Sequence, residues 1–104
     1  MAHVQAKDRE AIARELAELP GWEGDATALH KTYTFSDFAS AWRFVDQVAE
    51  AAQALDHHPE ILWRYNRVTI VTTTHRTEAV TDLDLALARR LEALSSATSD
   101  PAAP

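Results

Sequence analysis

From Val68 to Thr74 the chain runs through seven consecutive β-branched residues, Val-Thr-Ile-Val-Thr-Thr-Thr. Branching at Cβ stiffens χ1 and crowds a helical turn, whereas a pleated strand holds such side chains alternately above and below its plane. The run therefore predicts a strand over Val68 to His75, with Ile61 to Tyr65 as its hairpin partner and Asn66-Arg67 as the turn. Just upstream the pattern switches period. Phe38, Trp42, Val45, Val48 or Ala49, Ala52 and Leu55 recur at i, i+3 or i+4, which predicts a long amphipathic helix opened by Ser36. Pro59 forbids its continuation and pushes His58 toward extended geometry.

The same reasoning divides the rest of the chain. Ile12, Leu16 and Leu19 predict a first helix within Lys7 to Leu19, capped by Asp8 and stopped by Pro20-Gly21. Trp22-Glu23 and Leu29 to Phe35 read as extended, joined by a turn around Gly24-Asp25. Leu29, Lys31, Tyr33 and Phe35 share one face of the second segment. Thr81-Asp82-Leu83-Asp84 has the form of a capping box for a last helix, with Leu83, Leu87, Leu91 and Leu94 inward. The order α-β-β-α-β-β-α implies an α+β fold, a four-stranded antiparallel sheet with helices packed on one face. One domain is expected over 1–95, and the Ser, Ala and Pro content of 96–104 predicts a disordered tail. The other sheet face and the outer strands are left for solvent, a ligand or a second subunit.

Composition narrows the function classes. A net charge of -6 with no basic stripe argues against nucleic acid and anionic membranes as direct partners. The absence of cysteine excludes a disulfide framework, a zinc ribbon and thiol catalysis. No stretch approaches the roughly 18 apolar residues of a membrane span, and the first residues lack an apolar signal core. A cytoplasmic enzyme or binding module is the expectation.

Three of the five histidines, His57, His58 and His75, fall between the end of the long helix and the start of the last one, together with Asp56 and Asp84. Imidazole is the side chain best suited to proton transfer near neutrality. His57 and His58 follow a helix C-terminus, where the dipole and Asp56 suit a charged ring. The same placement equally suits a solvated pair that only complements the dipole. His75 ends the predicted strand, and hairpin geometry returns it toward the His57-His58 corner. Asp84 reads first as a capping-box acid reaching back to Thr81, and a helix N-terminus beside the histidines leaves room for a functional role as well. Tyr65 and Trp63 read as packing, and Trp22 reads either as core or as a flat surface for an aromatic ligand. A metal centre is the rival for three histidines, but adjacent histidines seldom ligate one ion and no His-x-x-x-His pair exists. No serine sits on a recognisable nucleophile turn.

Asp56-His57-His58-Pro59-Glu60, with five residues between Pro59 and Tyr65, nine between Tyr65 and His75, and eight between His75 and Asp84, resembles the pterin-4a-carbinolamine dehydratase family. Gly21-Trp22, Phe35-Ser36-Asp37-Phe38 and Thr73-Thr74-His75 extend the resemblance over roughly residues 10 to 95. It implies dehydration of a 4a-hydroxytetrahydropterin to the quinonoid dihydropterin, which recycles the cofactor of aromatic amino acid hydroxylases. By resemblance His57, His58 and His75 are the catalytic histidines. His57 and His75 would share the proton transfers, without a division of acid from base, and His58 would mainly bind and orient the pterin. Asp56, Thr73, Thr74 and Arg76 would line the pocket, with Trp22 packed near the ring and Asp84 closing its polar edge. Neither metal nor bound organic cofactor is implied, the pterin being substrate, and a homodimer or homotetramer is.

Two positions depart from the family pattern. Four residues before His57, where the family usually places an acid, stands Gln53, which can orient an imidazole but adds no charge. Ala79-Val80-Thr81 replaces the usual Gly-Leu-Thr. Gln53 keeps open a second reading, a catalytically weakened pterin-binding or dimerisation module of the same fold.

Overall fold

The computed structural model of the chain describes residues 5–98. Its elements are α1 (Arg9–Leu16), β1 (Glu23–Gly24), β2 (Leu29–Thr34), α2 (Phe38–Leu55), β3 (Glu60–Arg64), β4 (Arg67–Thr72) and α3 (Asp82–Thr98). The strands form one antiparallel sheet in the order β1-β2-β4-β3. The α+β architecture read from the sequence is the observed one.

The β-branched run becomes the central strand β4, paired with β2 from Leu29↔Thr72 to Thr34↔Arg67 and with β3 from Glu60↔Val71 to Arg64↔Arg67. Alternation sends Val68, Ile70 and Thr72 inward, with Leu29 and Tyr33 from β2. Phe44 of α2 is fully buried among them, with its ring centroid 4.7 Å from Tyr33 and 5.2 Å from Phe35. A side chain of that size contributes about 2–3 kcal/mol by leaving water. Val80, Leu85, Leu87, Ala88 and Leu91 close the core from the other side.

Several boundaries differ from expectation. The cap of α2 is Asp37, whose carboxylate accepts from the Ser40 N–H at 2.8 Å, and not Ser36. The inward face of α2 is Ser40, Ala41, Phe44, Val48, Ala51 and Ala52. The helix is thus rotated from the predicted stripe, because small side chains let it approach the core closely. Phe38 and Trp42 are left 44% and 54% exposed. Phe38 stacks on Trp63 at 4.7 Å and lies near Tyr65, so an aromatic cluster covers the β3 end of the sheet. The β3–β4 turn is Tyr65-Asn66, one residue earlier than expected. Asn66 donates its amide to the Phe35 carbonyl and accepts from the Phe35 N–H, and Tyr65 takes the left-handed φ of 50°. In α3 the buried side includes Leu85 and Ala88, whereas Leu83 is half-buried. The helix runs to Thr98, past the expected start of a tail at 96, and residues 99–104 lie outside the described ones.

Trp22 belongs to this core. It is 4% exposed, and its indole N–H reaches the Tyr33 hydroxyl at 3.1 Å and the Glu92 carboxylate at 3.2 Å. Glu92 also accepts from Tyr33 and Lys31, each at 2.6 Å. Burial first, and then the neighbouring Glu92 carboxylate, push the Tyr33 hydroxyl well above the usual phenol range, so it stays a donor.

Candidate active site

Pro59 ends α2, but the sharp turn comes from Asp56, held in the left-handed region at φ 52° and ψ 44°. The His57 N–H donates to the Ala52 carbonyl at 3.0 Å and the Asp56 N–H to the Gln53 carbonyl at 3.2 Å, a Schellman ending. Glycine is the usual residue there, and an L side chain in that conformation costs roughly 1 kcal/mol. Asp56→Gly is therefore expected to leave stability unchanged or raised by at most about 1 kcal/mol in thermal unfolding. A functional loss in that variant would belong to the carboxylate rather than to the fold.

The opposite wall is built where β4 runs out of partners. β2 begins at Leu29 and β3 at Glu60, so pairing stops at Thr72 and the strand does not reach His75 as expected. The Thr73 hydroxyl donates to the Thr27 carbonyl at 2.6 Å instead. Thr74 bridges to Ala79, and the enclosed turn carries His75 and Arg76 on its exposed side. The Val80 N–H bonds the Ala26 carbonyl at 2.8 Å, tying the segment to the β1–β2 turn.

Between the walls lies a cleft of ≈ 270 Å³ lined by Asp56, His57, His58, Thr73, Thr74, His75, Arg76 and Leu83. Seven of these eight are residues expected from the sequence. Gln53 borders the cleft through His58. Asp84 lies beneath it, fully buried. Trp22 is the expected residue that the fold does not bring there; it is held in the core by Tyr33 and Glu92.

Asp84 organises the floor. Its Oδ1 lies 2.6 Å from His57 Nε2 and accepts from the Thr72 hydroxyl at 2.6 Å. Its Oδ2 accepts from the Thr74 hydroxyl at 2.7 Å and from the Thr81 N–H at 2.9 Å. The capping box is thus formed, with Thr81 Oγ1 accepting from the Leu83 N–H at 3.2 Å. Because Thr74 spends its proton on Asp84, the 2.7 Å contact between Thr74 and Thr81 is donated by Thr81. Every donor around the carboxylate is then accounted for if His57 carries its proton on Nε2. That leaves His57 Nδ1 as the ring nitrogen not spent on Asp84. One residue both caps α3 and fixes the tautomer of a cleft histidine.

His58 is exposed, and its Nε2 lies 2.7 Å from Gln53 Oε1. The expectation that Gln53 serves His57, one turn ahead on the same face, fails because the helix ends between them. The left-handed turn at Asp56 sends His57 under the sheet end and leaves His58 beside Gln53. Thr72 was not singled out from the sequence, yet it is buried and bonded to Asp84. The signal was there: it continues the inward row Val68, Ile70, Thr72, and a buried hydroxyl needs a partner. Leu83 was expected inward and instead forms the apolar edge of the cleft. Among the described residues no group of three His, Cys, Asp or Glu side chains is placed to hold a metal ion. No helix among them is long and apolar enough to cross a membrane.

A family model described as pterin 4 alpha carbinolamine dehydratase matches residues 5–94. A Thermomicrobium roseum protein provisionally named a pterin-4-alpha-carbinolamine dehydratase is 48% identical over 89 residues, covering 86% of this chain and 96% of its own length. A Sulfurisphaera tokodaii protein with the same provisional name is 36% identical over 83 residues, covering 80% and 89%. The crystal structure of a transcriptional coactivator/pterin dehydratase from Brucella melitensis matches with a TM-score of 0.83 and 35% identity, covering 86% of this chain and 98% of that one. A pterin dehydratase-like protein identified as a RuBisCO assembly factor in the alpha-carboxysome shares the fold alone, with a TM-score of 0.62 at 24% identity.

Proposed function

Since this chain belongs to the pterin-4a-carbinolamine dehydratase family, we propose that it dehydrates a 4a-hydroxytetrahydropterin to the quinonoid dihydropterin by histidine acid–base catalysis. The observation that carries this reading is the convergence of His57, His58 and His75 on one cleft, with the His57 ring fixed by buried Asp84. The reaction breaks the C4a–O bond. The hydroxyl takes a proton and leaves as water, the N5 electron pair forms the C4a=N5 double bond, and N5–H passes its proton to a base. Two titratable groups on one small cleft meet that need, and His57 with His75 are assigned to it. His58, Asp56 and Arg76 bind and orient the polar edge of the ring, with Thr73 and Thr74 beside them. Pterin is the substrate, so no resident cofactor enters the scheme, and recycling for an aromatic amino acid hydroxylase in the cytoplasm is the setting it fits.

The site is tested by titrating a stable reduced pterin against the imidazole resonances. His57, His58 and His75 shift together while His30, exposed on the far sheet face, does not. A response confined to other residues would remove the cleft from the account. The second reading, pterin binding or protein interaction with weakened catalysis, draws on Gln53 and on the coactivator description of the Brucella relative. It predicts the same shifts without turnover.

The β3 edge supports an assembly through that strand. Glu60-Ile61-Leu62-Trp63-Arg64 is self-complementary: antiparallel pairing with a second copy about Leu62 sets Glu60 opposite Arg64 and Ile61 opposite Trp63. Leu62 is 53% exposed, and Arg64 faces Arg67 across the β3–β4 pair, a like-charge opposition that an added Glu60 relieves. A homodimer through β3 is proposed on these grounds. Glu60→Arg sets like charges opposite twice, at about 0.2–1 kcal/mol per pair, and is expected to weaken dimerisation by roughly tenfold. Adding Arg64→Glu restores it. Sedimentation equilibrium of the single and double variants checks the register, and equal weakening in both would refute it.

A further inference from the structure

We propose that Gln53 is a positioning residue for His58, holding the proton of that ring on Nε2 so that Nδ1 is offered to the ligand as an acceptor; the kinetic part of this inference rests on the dehydratase reading. Both side chains are exposed, and an unsupported surface imidazole exchanges freely between rotamers and tautomers. Here the Gln53 carbonyl oxygen lies 2.7 Å from His58 Nε2, and a carbonyl only accepts. The Schellman ending of α2 creates this pairing, because it lifts His58 back over the last turn where Gln53 projects.

The consequence concerns two rings. His57 is tied at Nε2 from below by Asp84, and His58 is tied at Nε2 by Gln53. Among the described residues no hydrogen bond engages Nδ1 of either ring. Adjacent histidines are thus fixed in the same tautomer by partners of different charge. Asp84 brings a carboxylate to the ring assigned to proton transfer, and Gln53 brings a neutral amide to the ring assigned to recognition. Any acceptor at that place orients the His58 ring, and a neutral amide suffices for a ring whose task is to accept an N–H from the heterocycle. Gln53 thereby acts on substrate recognition, and its replacement of the family's usual acid is not a catalytic defect.

Long-range proton–nitrogen NMR spectra distinguish the two neutral tautomers and are combined with steady-state kinetics. In the wild-type protein His58 is expected as the Nε2–H tautomer. In Gln53→Ala it becomes a mixture. KM for the carbinolamine then rises roughly threefold to tenfold, the worth of one neutral hydrogen bond, while kcat stays within about twofold. Gln53→Glu, which presents an acceptor at the same place, restores both tautomer and KM. If the protein turns nothing over, the dissociation constant of a stable dihydropterin replaces KM, so failure of the dehydratase reading stays distinct from failure of this one. An Nδ1–H tautomer in the wild type, or a Gln53→Ala variant with unchanged KM or dissociation constant, would overturn the proposal.

Discussion

His57→Ala is expected to lower dehydratase turnover by roughly two orders of magnitude or more, the usual worth of a positioned acid–base group. His57 is 8% exposed, so its surface reaches the cleft at one edge while its Nε2 is spent on Asp84. Alanine removes the group assigned to the proton transfer and leaves Thr72, Thr74 and Thr81 on the carboxylate, so the floor keeps three of its four donors. The variant is therefore expected to fold, with some loss of stability from the weakened carboxylate shell. Circular dichroism and stopped-flow turnover on the same sample separate the two effects. An unchanged rate in folded protein would take His57 out of the chemistry and leave the transfers to His75.

Asp84 has the larger structural effect. Asp84→Ala leaves the hydroxyls of Thr72 and Thr74, the Thr81 N–H and the His57 ring facing an empty site inside the protein. Breaking a buried, fully bonded carboxylate in this way costs about 3–5 kcal/mol. That is a large part of the stability of a domain this size, commonly about 5–15 kcal/mol. The unfolding midpoint is expected to fall by roughly 12–40 °C at about 4–8 °C per kcal/mol. Asp84→Asn separates structure from chemistry. The Thr81 N–H is a fixed donor and claims the amide oxygen, so the amide nitrogen takes the Oδ1 position and faces His57. The ring must then accept at Nε2 and carry its proton on Nδ1. A folded protein with turnover reduced by about two to four orders of magnitude is the expected outcome. Full activity in Asp84→Asn would mean that the tautomer of His57 does not matter.

The legible parts of this fold were those written in local patterns. The β-branched run called for a strand, which forms over its first five residues, Val68 to Thr72, and Pro59 and the capping box at Thr81 marked where two helices end and begin. Asp84 was recognised as a cap beside the histidines because a capping acid needs only its own first turn. The parts not legible were set by contacts distant in sequence. The rotation of α2, which exposes Phe38 and Trp42, depends on how closely small residues let it approach the core, and a size-blind apolar stripe does not contain that. The early end of β4 depends on where β2 and β3 stop. Trp22 follows a glycine turn and reads equally as ligand platform or core until Tyr33 and Glu92, far along the chain, claim its indole N–H. Gln53 was assigned to His57 on helical spacing, and the left-handed Asp56, where glycine is usual, moved it to His58.

The most direct test is the rate at which purified wild-type protein converts chemically generated 4a-hydroxytetrahydropterin, followed by quinonoid dihydropterin absorbance against the uncatalysed reaction, with His57→Ala in parallel. The account predicts saturable acceleration by the wild type and its near disappearance in the variant. Folded wild-type protein that binds the pterin yet leaves the rate at its uncatalysed value would contradict it and return the cleft to a binding role.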